Sequence, residues 1–157
     1  MAYMSINLKT DGHATGLPSN VLAQDYGAHI FNIKLSTDTD NGNLVAAGDW
    51  DSLDVFKEAE VTTFEGKIVQ KMTDGNYLVL VTNPGDALFV YQKPLTPYET
   101  PKSLTNESAF YNVAGDTVRA YELRKWDRIE VSAGGFSGTP SVGATINGVS
   151  SKKMKIA

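Results

Sequence analysis

The chain of 157 residues contains no cysteine. That excludes a disulfide framework, a thiolate zinc site and a cysteine nucleophile. Histidine is almost as scarce: only His13 and His29 are present, with no Gly-x-Ser-x-Gly elbow to serve a Ser-His-Asp arrangement. They read as a loop and a strand-end bystander. No apolar run approaches the roughly 18 residues that a membrane span needs. The opening "MAYMSINLKTDGHATG" lacks the basic-then-apolar order of a secretory leader. A dominant charge sign is also missing. Residues 1–60 hold nine acids and three bases, residues 61–157 nine acids and eleven bases, for a net charge of −4. A nucleic-acid surface normally gives a strongly basic domain, so neither a nucleic acid nor a membrane is an expected partner.

What is present has a period of two. In "GKIVQKMTDGNYLVLVT", β-rich runs flank Asp74-Gly75, the dipeptide that supplies the positive φ angles of a type I′ hairpin turn. Tyr77, Val79 and Val81 alternate with Leu78 and Leu80, which predicts a central strand or one covered on both sides. "HIFNIKL" places Phe31, Ile33 and Leu35 on one face. "EVTTFEG", "ALFVYQ", "TVRAYEL", "RIEVS" and "GATINGV" add further strands, with "NPGD" as a β-turn before Ala87. Short strands punctuated this way predict a mainly β fold, a small antiparallel β-barrel or sandwich. At this length one domain is expected, with no need of a metal or disulfide to fold.

Helix signals are few. "PSNVLAQDYG" and "WDSLDVFKEAE" can each form one or two turns, capped by Ser19 and by Asp51 or Ser52. "QKPLTPYETPKS" has three prolines, which favour an extended connector crossing between barrel edges. The first 35 residues are broken by Gly12, Gly16, Pro18 and Gly27 yet keep apolar side chains. They read as an extended N-terminal arm that orders against another surface, with 36–157 as the β domain. Leu8, Leu17, Val21, Leu22 and Tyr26 are its candidate partner contacts.

Three stretches invite a chemical reading. "STDTDNGN" offers Asp38, Asp40 and Asn41, with Asp49 further on. An EF-hand, however, needs glycine at its sixth position and Glu at its twelfth. Here glycine is fifth and the twelfth residue is an Asp, so a solvated turn is favoured over a cation site. "AGGFSG" lacks the lysine and helix of a phosphate loop. "GDTVRAYELRKWDRIEVS" carries four basic and four acidic side chains. Val118 and Ala120, then Ile129 and Val131, give two strands joined by "RKWD". The balanced charges predict the wet face of a hairpin rather than a catalytic cluster or a nucleic-acid grip. Arg124, Lys125 and Trp126 in that turn are the remaining contact candidates. No catalytic residue, metal or cofactor is indicated.

From 60 to 150 the order of segments resembles small structural proteins of tailed bacteriophages, of the head-decoration or auxiliary-capsid type. The likeness rests on "Gly-Lys-Ile-Val" at 66–69, "Gly-Asp-x-Val-Arg" at 115–119 and "Val-Gly-x-x-Ile" at 142–146. Where such proteins often carry Gly-Asp after "Tyr-x-Leu", this chain carries Trp126-Asp127. The resemblance implies a non-enzymatic virion component on the capsid surface, made in the host cytoplasm and present in many copies. Its implied partners are the major capsid protein and copies of itself, a trimer being common in that type. A carbohydrate-binding or adhesion module on a fibre or secreted protein stays open as a rival, resting on Trp50 or Trp126 beside the acidic loop 38–43. A small hydrolase is the other, though no carboxylate pair stands out for it.

Overall fold

A computed structural model describes residues 2–4, 14–20, 30–52, 54–92 and 110–157. Among them there is no α-helix. The strands are β1 (Ala2–Met4), β2 (Gly16–Asn20), β3 (Ile30–Lys34), β4 (Leu44–Ser52), β5 (Val55–Ala59), β6 (Glu65–Lys71), β7 (Tyr77–Asn83) and β8 (Leu88–Val90). They continue with β9 (Phe110–Asn112), β10 (Thr117–Glu122), β11 (Arg128–Val131), β12 (Phe136–Ser137), β13 (Thr145–Ser150) and β14 (Lys153–Ile156).

Barrel and sheet are both present. Five strands close a barrel in the order β10-β3-β5-β4-β8, and seven form a sheet in the order β12-β14-β13-β6-β7-β11-β2. β1 and β9 make a separate antiparallel pair. Most pairings are antiparallel, but β3 with β5 and β12 with β14 are parallel.

Strand alternation generates two cores. Inside the barrel lie Ile33, Val45, Leu88, Val90, Val118 and Ala120. Their sequence neighbours Leu44, Phe89 and Tyr121 point the other way and pack on Ile68, Val79, Val81, Ile129, Ile146 and Met154 of the sheet. Leu44, Phe89 and Tyr121 thus give β4, β8 and β10 a buried side chain on the sheet side as well as on the barrel side. Full burial of one such side chain contributes about 1.5–3 kcal/mol, so the barrel–sheet interface is a main source of stability.

Several expectations need correction. "WDSLDVFKEAE" forms no helix: Asp54, at φ +66°, turns the chain between the end of β4 and the start of β5. "PSNVLAQDYG" begins as β2, and its remainder lies outside the described residues. "EVTTFEG" is a strand only from Glu65, because Thr62 and Thr63 are tied to the Asp86 carboxylate instead of to a ladder. The arm boundary at residue 35 does not hold, since β3 is a barrel strand with Ile33 wholly buried and β2 pairs with β11 in the sheet. The proline-rich stretch 93–102 lies outside the described residues.

The β6–β7 hairpin is present with β7 central in its sheet, but its turn differs from type I′. Gly75 N–H donates to Met72 O at 3.0 Å and only Gly75, at φ +92°, is left-handed. That is a three-residue loop with a glycine bulge. The charged stretch 115–132 is not a hairpin either. β10 pairs with β3 and β8 in the barrel, whereas β11 pairs with β7 and β2 in the sheet. "RKWD" is thus the crossing from one layer to the other.

Candidate functional site

A cleft of about 770 Å³ lies where the β13–β14 hairpin meets β5 and the loop 36–43. Ser150 and Lys153 pair at the hairpin's end, leaving a two-residue turn. Ser151 (φ +49°) and Lys152 (φ +67°) both take left-handed backbone, as a type I′ turn requires, without the Asn or Gly that normally fills it. The Lys152 carbonyl accepts the Leu44 N–H at 2.8 Å, which fixes the turn to the barrel.

This places the Lys152 amine over the loop. It donates to Thr37 Oγ1 at 2.5 Å and Thr39 Oγ1 at 2.7 Å, and it pairs with the Glu58 carboxylate. Glu58 also accepts the Ser36 N–H at 2.8 Å and the Ser36 hydroxyl at 2.5 Å. Its side chain is 5% exposed. Burial pushes the Glu58 carboxyl up, yet the hydrogen bonds from Lys152 and Ser36 outweigh that and hold it below the ordinary carboxylate range. The Glu58 carboxylate, engaged by Lys152 and by both the N–H and the hydroxyl of Ser36, ties β5 to the hairpin and to the loop after β3.

The acidic loop completes the junction. Asp38 accepts the Ala114 N–H at 2.9 Å and Asp40 the Ala14 N–H at 3.0 Å. Asn41 exchanges two 2.9 Å bonds with the Gln92 backbone and accepts from Asn112 Nδ2 at 3.2 Å. Thr39 and Asn112 exchange backbone bonds at 2.8 Å. The loop therefore stitches β3, β8 and β9 together. Asp49, the fourth residue of the cation reading, lies apart in β4. Among the described residues no group of three or more His, Asp or Glu is placed to hold a metal ion. Asn43 Oδ1 is buried in the cleft wall without a hydrogen bond.

The contact candidates divide sharply. Arg124, Lys125 and Trp126 share one turn, with Trp126 61% exposed and the Lys125 ammonium 4.9 Å from its ring centre. Arg124 pairs with Glu122 at 3.2 Å. Asp127 is buried and accepts the Arg124 N–H at 2.8 Å, so this acid is spent inside the turn. Leu17 is half-buried in β2, the sheet's terminal strand among the described residues. Leu8, Val21, Leu22 and Tyr26 lie outside the described residues, as do both histidines. Trp50, in β4, is 66% exposed.

Glu58, Ser36 and Lys152 were not legible as a group, since "SSKK" carries no turn dipeptide and Lys152 reads as one of several basic residues near its end. No family model matches the chain, and no curated protein or solved structure does either.

Proposed function

We propose that the protein is a structural component of a tailed-bacteriophage virion, decorating or reinforcing the capsid through protein–protein contacts without catalysis. The observation that carries this reading is where its carboxylates go. Asp38, Asp40, Glu58 and Asp86 each bind backbone N–H groups of a neighbouring segment, joining loops and layers instead of converging on a reacting atom. A component under mechanical load in a lattice needs such cross-ties. The resemblance over 60–150 supports the same reading. The major capsid protein is the proposed partner, met at β2, where Leu17 lies on an edge strand suited to strand addition.

The test is to image purified particles assembled with and without this protein. Regular density at fixed lattice positions, and particles that resist heating better when it is present, are expected. Particles with no added density and unchanged resistance refute the proposal.

The exposure of Trp50 and Trp126 favours one second reading, a carbohydrate-binding or adhesion module. Glycan-array binding that is abolished by Trp126→Ala decides for it.

A further inference from the structure

Both strongly exposed tryptophans leave the same end of the barrel. Tyr121, late in β10, pairs with Ile30 at the start of β3, and Asn32 of β3 is in register with Val55 at the start of β5. Val55 pairs with Ser52 at the end of β4, and Glu122 pairs with Leu88 at the start of β8. The β4–β5 tip and the β10–β11 turn therefore emerge together. At this end lies a depression of about 250 Å³ lined by Phe31, Ala47, Leu88 and Leu123, with Asp86 and Glu122 also in its wall. Phe31 in turn meets Phe56, the cross-strand neighbour of Trp50, edge-on at 5.8 Å between ring centres.

The two tips carry opposite charge. Trp50 is flanked by Asp49, Asp51 and Asp54, with no base from 48 to 56. Trp126 is flanked by Arg124, Lys125 and Arg128, and the one acid in its turn, Asp127, is buried.

The backbone at Trp126 adds a separate argument. Its φ is +78°, a region that glycine enters freely and a bulky side chain rarely does. The turn is held there by the bonds Trp126 N–H to Val81 O and Val81 N–H to Asp127 O, each 2.9 Å. An exposed indole in a glycine's conformation gives the fold nothing that glycine would not. Strain at such a residue points to a use for its side chain.

We propose that this end of the barrel is a self-association surface, on which the basic Trp126 turn of one copy seats against the acidic Trp50 tip and adjoining depression of a second copy. A two-fold arrangement satisfies both contacts at once, because each copy supplies both tips. Each aromatic anchor then has an apolar floor and a rim of opposite charge, the arrangement found at interface hot spots. The inference concerns contacts between copies and does not rest on the capsid reading.

The test uses the full chain in light scattering and sedimentation across a concentration series. The wild type is expected to associate, less so in high salt. Trp126→Gly and Trp126→Asn, both compatible with left-handed backbone, are expected to keep the β-sheet circular dichroism and the melting temperature while weakening association about 30-fold or more. A double reversal of the acidic tip (Asp49→Lys with Asp51→Lys) and one of the basic turn (Arg124→Glu with Lys125→Glu) should each be monomeric alone and associate when mixed. A wild type that stays monomeric at every concentration overturns the proposal. So does a Trp126→Gly protein that associates as the wild type does, or a mixture of the two reversals that stays monomeric.

Discussion

Replacing Lys152 by Met removes the charge that joins the β13–β14 hairpin to the barrel while keeping the aliphatic stem and the left-handed backbone cost. The variant loses two hydroxyl contacts and the ion pair, and leaves a 5%-exposed carboxylate held only by Ser36. Breaking a fully buried pair from one side costs about 3–5 kcal/mol. The Lys152 side chain is 21% exposed, so water solvates part of the site. About 2–3 kcal/mol is the expected loss. For a chain of this size that is a fall in Tm of roughly 5–10 °C. Its pH dependence is the sharper test. Glu58 in the folded protein lies below its ordinary pKa, so its stabilisation is present above about pH 4.5 and is lost as the pH falls through the lower folded value. In Lys152→Met, burial acts on Glu58 with less to oppose it, which moves its pKa upward. The stability gap between the two proteins should therefore be widest near neutrality and should narrow as the pH falls through the variant's raised value towards the wild type's lowered one. Urea unfolding followed by Trp fluorescence from pH 3 to pH 7 measures it. A gap below about 0.5 kcal/mol at pH 7, or one constant across the range, refutes the latch, because a solvent-exposed pair would give the former and simple loss of packing the latter.

Other perturbations test how the loops are held. A Cβ on Gly85, at φ +53°, would stand 2.1 Å from the Thr63 carbonyl oxygen, so Gly85→Ala should cost more than about 3 kcal/mol in thermal unfolding. Gly75→Ala, with nothing near its Cβ, should cost only the backbone term of about 1 kcal/mol; equal losses at both sites would refute the steric account. Asp86→Ala frees the N–H groups of Thr62 and Thr63, a loss of about 1 kcal/mol after allowance for solvent screening. Burial raises the Asp86 carboxyl, but those N–H groups and the Thr62 hydroxyl hold it below the ordinary value. The difference seen by chemical denaturation should accordingly vanish as the pH falls through that lowered value, and its persistence at pH 2 would argue against the assignment.

What the sequence made legible was local. Alternation in Tyr77–Asn83 and in Phe31, Ile33 and Leu35 marks real strands, and Pro84-Gly85 a real turn. What it hid was partnership. Asp74-Gly75 serves a two-residue and a three-residue loop equally well, and only the ladder on either side decides between them. The spacing of Leu53 and Phe56 suits a helix face, yet Asp54 breaks it with a left-handed residue that nothing in its identity requires. β10 and β11 resemble a hairpin because they are close in the chain and each carries one base and one acid, while their hydrogen-bonding partners are distant segments. The Glu58–Lys152 latch was hidden for the same reason, since its two halves come from different layers.

The crossing at "RKWD" has a consequence for how the molecule comes apart. The chain enters the barrel at β3, leaves it for the sheet at β6, returns at β8 and departs again after β10. No single cut in the polypeptide separates the strands of the barrel from those of the sheet. A nick at "RKWD" leaves all five barrel strands in one piece but strips β2, β6 and β7 of their partners β11 and β13. The layers should then melt as one calorimetric transition, with folding slowed by the distant segments that must meet before either layer is complete.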